Sequence, residues 1–415
     1  MRTMKKHFEL FGAAVIATIV LASCSNDELV KSYSGEAISF STRMETRAVE
    51  TTLSTLKDFK VWGDAENYPT FFLENGIATK STDDNIYNLT TKDGMPVYWP
   101  AGVNKIHFWA YGPSDISVKP YIDNTQKKLK EYSLPNSFEK GGSEHKDLVV
   151  AYTSAEHTDH GTSVELNFQH ALSNINLTLA SGDPSKFMVL KGAWFVNAKS
   201  QADLNFKSVT EQIDWQLTDN QSATYGVIFS EKAPTITNGS PANIIHKDQK
   251  STDLMPIPQQ TAKATLKEST DQGAYILLLC RIMAEHPGEI HQEEGKEGTE
   301  ENPNATHLHR LFPINDNTDM NAEIYGYTCI PVDFNWSAGT KYTYNLEFCG
   351  KTSGGGLYPP INLPEGLPET GDGGITIEPM PDDKNPGDKI LENPITFKVT
   401  IAEWTNAKDT DIDMN

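Results

Sequence analysis

The sequence predicts an all-β protein with two β-sandwich domains in tandem. Short alternating apolar segments recur between turn residues at intervals of roughly 8–15 positions. The 23 prolines and 29 glycines favour short strands joined by turns. No segment shows a convincing apolar stripe with the 3.6-residue period of a helix. A length of 415 residues leaves room for two or three domains, with two the better expectation.

The charge balance restricts the partners that this chain is expected to have. The 56 acidic residues outnumber the 35 basic ones, which gives a formal net charge of −21. Such a surface repels phosphate backbones, so we expect no nucleic-acid partner. The 38% hydrophobic fraction is sufficient for ordinary protein cores.

Residues 1–23 are predicted to be a lipoprotein signal peptide. A basic start is followed by an apolar run over residues 11–20, which is too short to span a bilayer comfortably. The ending LASC resembles the bacterial lipobox, in which the cysteine, here Cys24, becomes the acylated N-terminus. Several acyl chains suffice for stable membrane anchoring. The acidic stretch SNDE that follows resembles the surface-export signal of Bacteroidetes-type lipoproteins, so we expect an outer-membrane precursor at the cell surface.

Residues 24–47 are predicted to be a removable propeptide that carries one detachable strand. Ile38 and Phe40 alternate with polar residues in AISFST, as in a half-buried strand. Arg47 and Ala48 follow in a polar segment and form the expected cleavage site. Arg43 offers a second possible cut. One arginine in such a segment means little alone, and its place after the lipid site and the strand is what favours processing.

Residues 48–160 are predicted to form the N-terminal domain. Its strongest signal is DGMPVYWPAGVNKIHFWAYGP, in which turns alternate with aromatic-rich strands. Aromatic residues at this density favour a sandwich core over a sugar-stacking platform, because they are large and bury well. The polar stretch EHTDHGTS then marks the expected domain boundary.

Residues 161–415 are predicted to form the C-terminal domain. Within it, residues 350–392 form a Gly/Pro-rich tether that is too poor in apolar residues to pack. Residues 285–310 form an acidic, His-rich insertion that we interpret as a solvated loop. Divalent-metal binding there is the weaker alternative, because no helix sets the ligand spacing.

The tether ends in a predicted donor strand, PITFKVTIAEW, at residues 394–404. Its apolar residues fall on one face at a spacing of two: Ile395, Phe397, Val399 and Ile401. The beginning of this strand echoes AISF in the propeptide. Two interpretations stay open, since the strand either enters a neighbouring molecule or closes the sheet of its own domain. Both hold if it lies on its own domain until assembly.

The residues do not predict a catalytic or metal site. Cys280, Cys329 and Cys349 lack the spacing of a zinc site, so we interpret them as buried apolar residues, with one disulfide as the alternative. The chain has no GxSxG motif, P-loop or dinucleotide-binding glycine pattern. We therefore expect a protein that is not an enzyme and has no cofactor.

Several segments together resemble the fimbrillin-like proteins, the subunits of the type V pili of Bacteroidales. The similar segments are LASC, AISFST, TRA at 46–48, VYWPAGVNKIHFWAYGP, NFQHALSNINLTL, LMPIPQQ, WSAGTKYTYNLEF and ITFKVTIAEW. Each is weak alone, but their order and spacing are fairly specific. The long tether and the insertion at 285–310 depart from the pattern, so the rank of the subunit as stalk, tip or anchor stays open.

The resemblance implies two transthyretin-like β-sandwich domains and a maturation pathway. Cys24 would carry the lipid to the outer membrane, and an arginine-specific protease would cut between Arg47 and Ala48. The strand with Ile38 and Phe40 would leave, and residues 394–404 of another pilus subunit would take its place. An adhesive role toward a host or bacterial surface ligand is compatible with this pathway.

Two rival functions follow from other aspects of the sequence. A lipid-anchored glycan-binding protein would use the aromatic residues for stacking. A surface hydrolase would carry a β-sandwich as an accessory domain.

Overall fold

The structure is a computed structural model of the chain. It describes residues 37–44, 55–68, 70–82, 86–159, 161–207, 209–218, 222–245, 253–267, 273–287, 306–403 and 406–412. These residues form strands and loops, with two short 3-10 turns at His157–Asp159 and Asp372–Gly374. The all-β prediction is confirmed.

Seven strands of the first part of the chain close into a barrel, in the order β1-β4-β3-β2-β5-β8-β9 and back to β1. A hairpin of β6 and β7 lies outside the barrel. The strands are β1 (Ser39–Met44), β2 (Asp58–Ala65), β3 (Leu73–Lys80), β4 (Ile86–Thr90), β5 (Lys105–Gly112), β6 (Lys119–Ile122), β7 (Lys127–Ser133), β8 (Val149–Glu156) and β9 (Val164–His170).

The remaining strands form the second part of the chain. They are β10 (Asn174–Ser181), β11 (Lys186–Lys199), β12 (Gln201–Phe206), β13 (Ile213–Leu217), β14 (Ser222–Ile228), β15 (Thr235–Ile236), β16 (Ala242–Asn243), β17 (Gln259–Thr261), β18 (Tyr275–Pro287), β19 (Thr306–Phe312), β20 (Ile324–Pro331), β21 (Phe334–Trp336), β22 (Thr340–Phe348), β23 (Gly356–Leu357), β24 (Thr376–Glu378), β25 (Lys389–Ile390), β26 (Thr396–Glu403) and β27 (Asn406–Ile412).

Two large sheets organise this second part. A five-stranded sheet has the order β16-β10-β22-β26-β27, and a nine-stranded sheet follows the path β14-β11-β18-β20-β23-β25 with β15, β19 and β24 beside it. The sheet β13-β12-β7-β6 takes its last two strands from the hairpin next to the barrel. A short pair of β17 and β21 completes the set.

The barrel has its own hydrophobic core, and its outer face packs against the core of the second part. On β5, Ile106 and Phe108 point into the barrel, whereas Trp109 and Tyr111 pack with the core of the second part. Strand β9 lies wholly beyond the predicted domain boundary at residue 160, yet it pairs with β1 and β8 of the barrel. That boundary therefore does not separate the sheets, because the alternating residues of 164–170 close the first barrel. The barrel is also a closed sheet, where the sequence predicted a sandwich.

The aromatic motif supplies core residues. Trp99, Phe108, Trp109 and Tyr111 are all buried, and Tyr98 beside them is partly exposed. The burial of these four rings supports their interpretation as core residues, and it leaves them unavailable for stacking against a sugar. The cysteines Cys280, Cys329 and Cys349 are likewise buried and free.

The predicted tether packs against the second part of the chain. Four of its apolar residues are buried, namely Tyr358, Leu367, Ile375 and Ile390, whereas Ile361 is exposed. Three short strands (β23, β24 and β25) pair this segment with β20 and with itself. The expectation of an unpacked linker is wrong, because a small number of well-placed apolar side chains is enough to hold a proline-rich segment. The insertion at 285–310 is also more regular than predicted, since its ends extend β18 and β19 into a hairpin.

A buried histidine predicts a loss of stability in acid. The Nδ1 atom of His145 accepts a hydrogen bond from the Met255 N–H at 3.0 Å. Burial lowers the pKa of His145 from 6.5 to about 4. Between these two pH values the unfolded chain binds a proton that the folded chain does not, so stability present above pH 6.5 is lost as the pH falls toward 4. We expect this residue to lower the free energy of unfolding by up to about 3 kcal/mol over that range.

The His145→Gln variant isolates this contribution. Glutamine keeps an acceptor for the Met255 N–H but does not titrate. Denaturant unfolding between pH 7 and pH 4.5 is expected to give a shallower pH dependence for the variant than for the natural chain. If the stability of the variant and of the natural chain changed equally with pH, then His145 would have the same pKa in the folded and unfolded states, and the prediction would be wrong.

Candidate strand-exchange site

Strand β1 closes the barrel between two strands that do not otherwise meet. It pairs antiparallel with β4, with Phe40 opposite Tyr87, and parallel with β9, with Phe40 opposite Val164. Its N-terminal end is extended by a hydrogen bond from the Ile38 N–H to the Val97 carbonyl at 2.7 Å. If β1 leaves, β4 and β9 both become unpaired edges, and each edge presents free N–H and C=O groups.

The side chains of β1 alternate as the sequence predicts. Ile38, Phe40 and Thr42 are buried, and Phe40 has 0% exposure. The ring of Phe40 meets Phe108 edge-on at 5.2 Å and Phe59 at 5.9 Å between centroids. These contacts make Phe40 the central anchor of β1, and its loss would open an apolar cavity in the barrel.

The two possible cleavage sites differ in their placement. Arg43 belongs to β1, its side chain is 74% exposed, and its guanidinium lies 3.1 Å from the Glu165 carboxylate. Its backbone aligns with Asn167 of β9. Arg47, Ala48, Cys24 and the signal segment 1–23 lie outside the described residues.

The predicted donor strand lies on the second part of its own chain. All eight residues of β26 pair antiparallel with β22, with Phe397 opposite Leu346 and Val399 opposite Tyr344. The other side of β26 pairs with β27. The strand is therefore not held away from its own domain by a loose tether, because the segment that precedes it is itself packed. Of the two interpretations, the structure adopts the one in which the strand docks on its own domain.

The four apolar residues of the donor strand do share one face. Ile395 and Val399 are buried, whereas Phe397 and Ile401 are half-buried against the same core. The intervening Lys398 is exposed. The docked strand therefore leaves two of its four apolar side chains only partly covered.

Strands β1 and β26 have matching patterns of buried residues. Aligning Phe40 with Phe397 places Ile38 against Ile395 and the buried Thr42 against Val399. Valine has nearly the shape of threonine, so Val399 would fit the Thr42 position but would lack the hydroxyl that interacts with the Tyr87 hydroxyl. In this alignment Ser41, which faces away from the barrel interior, corresponds to Lys398.

Two consecutive residues before β26 have an uncommon backbone conformation. Leu391 and Glu392 have φ values of 53° and 65°. A non-glycine residue in this left-handed region costs roughly 1–2 kcal/mol. The Gly354 N–H donates to the Pro394 carbonyl at 2.8 Å and so holds the beginning of the docked strand. This bend could not be predicted from the sequence, since neither residue is a glycine or asparagine.

The described residues show neither a metal site nor a membrane-spanning helix. No three His, Cys, Asp or Glu side chains of the described part of the chain are close enough to bind a metal ion together. Within the same residues, no helix is long and apolar enough to cross a membrane.

These features define a class of β-protein whose barrel is closed by a short N-terminal strand and whose C-terminal strand carries a similar pattern. The family model described as fimbrillin-like matches residues 46–356. The chain belongs to the fimbrillin-like family, and the predicted family is confirmed.

Three of the solved structures that resemble this chain come from Parabacteroides and Bacteroides species. A candidate cell adhesion protein of Parabacteroides distasonis has a TM-score of 0.43 at 9% identity, covering 89% of this chain and 97% of its own. A candidate cell adhesion protein of Bacteroides eggerthii has a TM-score of 0.39 at 11% identity, with coverage of 89% and 97%. A third, from Bacteroides uniformis, has a TM-score of 0.37 at 10% identity, with coverage of 89% and 98%. No curated protein matches the chain in sequence.

Proposed function

We propose that this protein is a non-enzymatic structural subunit of a cell-surface pilus that polymerises by strand exchange. It is exported as a lipoprotein on Cys24, and an arginine-specific protease cuts between Arg47 and Ala48. The observation that carries the proposal is the short strand β1, which alone closes the barrel between β4 and β9. Membership of a fimbrillin-like family supports it. The family's transthyretin-like domain type is part of the same proposal.

Cleavage at Arg47 makes β1 replaceable by changing its effective concentration. Before the cut, β1 is joined covalently to the barrel that it closes, so its rebinding is intramolecular. An intramolecular partner behaves as if present at about millimolar concentration. After the cut, β1 is a separate peptide that diffuses away or stays with its lipid. A donor strand from a second subunit then competes with a dilute peptide and not with a tethered one.

The donor strand gains contacts when it moves from its own sheet to the open barrel. Phe397 is half-buried while β26 is paired with β22. The corresponding Phe40 of β1 is fully buried between Phe59 and Phe108. Full burial of such a side chain is worth about 1.5–3 kcal/mol relative to exposure. Exchange also restores a closed barrel without free edges. Against this, β26 loses its pairing with β22 and β27 when it leaves its own sheet.

The bend at Leu391 and Glu392 favours release of the docked strand. An extended conformation relieves the strain of two left-handed residues once β26 leaves β22. We expect Glu392→Gly, which tolerates positive φ, to stabilise the docked form and slow assembly of the trimmed subunit about fivefold. Light scattering after protease addition measures this rate. Glu392→Gln keeps the strain and removes the charge, so it should assemble at the natural rate.

Treatment with an arginine-specific protease tests the proposed function. We expect the purified precursor to be trimmed to Ala48 and to form fibres that are visible by electron microscopy. A trimmed protein that stays monomeric would contradict the proposal. For the glycan-binding alternative, the burial of the aromatic motif removes the stacking platform on which it depended.

A further inference from the structure

A large cavity lies in the segment that was predicted to be a tether. It has a volume of about 670 Å³, within the range of ligand-binding pockets. Phe312, Tyr327 and Tyr358 contribute aromatic surface, and Ile314 and Ile361 on its lining are 68% and 73% exposed. Most of this lining comes from residues beyond 356, where the family match ends.

The wall of the cavity is preorganised. Residues 358–387 form a long loop whose two ends are hydrogen-bonded to each other. The Tyr358 N–H donates to the Asp388 carbonyl, and the Gly387 N–H donates to the Tyr358 carbonyl. The Tyr327 hydroxyl donates to the Pro368 carbonyl at 2.8 Å, which fixes the far side. Seven of the 21 lining residues are prolines, whose φ angle is fixed. A rigid wall loses little entropy when a ligand binds.

The hydrogen-bonding groups of the wall are mainly acceptors. A proline has a carbonyl but no N–H, so the seven prolines add no backbone donor to the wall, although the carbonyls of Pro368 and Pro381 already accept hydrogen bonds from the Tyr327 hydroxyl and the Lys384 N–H. Among the described lining residues every charged side chain is a carboxylate: Glu365, Glu369 and Glu378. Glu378 accepts a hydrogen bond from Asn315 and lies within electrostatic reach of Arg310. The exposed Glu365 and Glu369 therefore present the main negative charge at the rim.

We propose that this cavity binds an extended peptide segment of a partner protein that presents arginine or lysine between apolar residues. Guanidinium and ammonium groups have donors only, which complements a wall of carbonyls and carboxylates. The apolar residues of the peptide on either side of the basic residue would cover the aromatic rings of the cavity and the exposed side chains of Ile314 and Ile361. A second copy of this chain is a poor occupant, because its net charge is −21. The proposal is independent of strand exchange.

Fluorescence anisotropy with three labelled peptides tests this site on the purified protein. The first repeats Leu-Pro-Arg, the second has citrulline in place of arginine, and the third has glutamate. We expect the arginine peptide to bind, the citrulline peptide to bind about tenfold more weakly, and the glutamate peptide not to bind. Added salt should weaken binding of the arginine peptide and leave binding of the citrulline peptide nearly unchanged.

Surface variants locate the binding. The double variant Glu365→Gln with Glu369→Gln is expected to lower affinity for the arginine peptide about fivefold, and Ile361→Asn to lower it by a similar factor. Val209→Asn is the matched control, because Val209 is 51% exposed and does not line this cavity. Equal binding of all three peptides, unchanged affinity in the rim variants, or binding of a soluble oligosaccharide without any peptide binding would overturn the proposal.

Discussion

Replacing Arg47 by glutamine is expected to leave the exported precursor uncut and monomeric. An arginine-specific protease recognises the guanidinium with buried polar groups, and such sites reject a side chain that lacks the partner by about 10⁴-fold. The propeptide 24–47 would stay attached, β1 would stay in the barrel, and no donor strand could enter. Mass spectrometry of the surface protein and electron microscopy of the cells measure both effects.

The Arg43→Gln variant is the control for this prediction. Arg43 lies inside β1 and is aligned with Asn167 of β9, whereas the pairing of β1 with β4 covers residues 39–41. Because a protease binds its substrate as an extended, unpaired segment, Arg43 is protected as long as β1 closes the barrel. The variant should be cut and should assemble normally. If Arg43→Gln is the variant that stays uncut, the scissile bond has been assigned to the wrong arginine.

Replacing Phe397 by aspartate is expected to abolish assembly and leave the folded monomer intact. On its own domain Phe397 is half-buried, so a carboxylate there keeps contact with water. In the barrel it would take the place of Phe40, which has 0% exposure between Phe59 and Phe108. An unpaired buried charge costs about 3–5 kcal/mol, which lowers the exchange equilibrium on the order of a thousandfold. Sedimentation of the trimmed protein measures assembly, and thermal unfolding measures the monomer.

Two neighbouring substitutions are the controls for Phe397→Asp. Phe397→Leu keeps an apolar side chain and should still assemble. Lys398→Ser introduces the residue that β1 carries at the corresponding position, and it too should assemble. If Phe397→Asp polymerises to the same extent as these two variants, then Phe397 does not take the place of Phe40 in the barrel.

The sequence predicted most of what depends on alternation along a strand. The apolar pairs Ile38 with Phe40 and Ile395 with Val399 are buried as expected, because residues separated by an even number of positions lie on the same face of a strand. The aromatic motif could be assigned to the core for the same reason. These inferences are local, so they did not require knowledge of which strands pair.

The pairing and the connections could not be read from the same patterns. Nothing in residues 164–170 shows that this strand closes the first barrel, since strand partners are chosen by long-range packing. The segment 350–392 looked unable to pack because its apolar residues are few, yet Tyr358 and Ile375 are each buried. The left-handed bend at Leu391 also has no sequence signature, because the packing around it imposes the conformation.

The central claim is that the donor strand changes partners from its own chain to a neighbour, and cross-linking measures this directly. In the docked form Lys398 aligns with Asn345. In the exchanged form it would align as Ser41 does, opposite Glu165. A short bis-maleimide should link Lys398→Cys to Asn345→Cys within one chain before trimming. After trimming, it should link Lys398→Cys to Glu165→Cys between chains and give a ladder. A polymer that keeps the first link and never gains the second would contradict strand exchange.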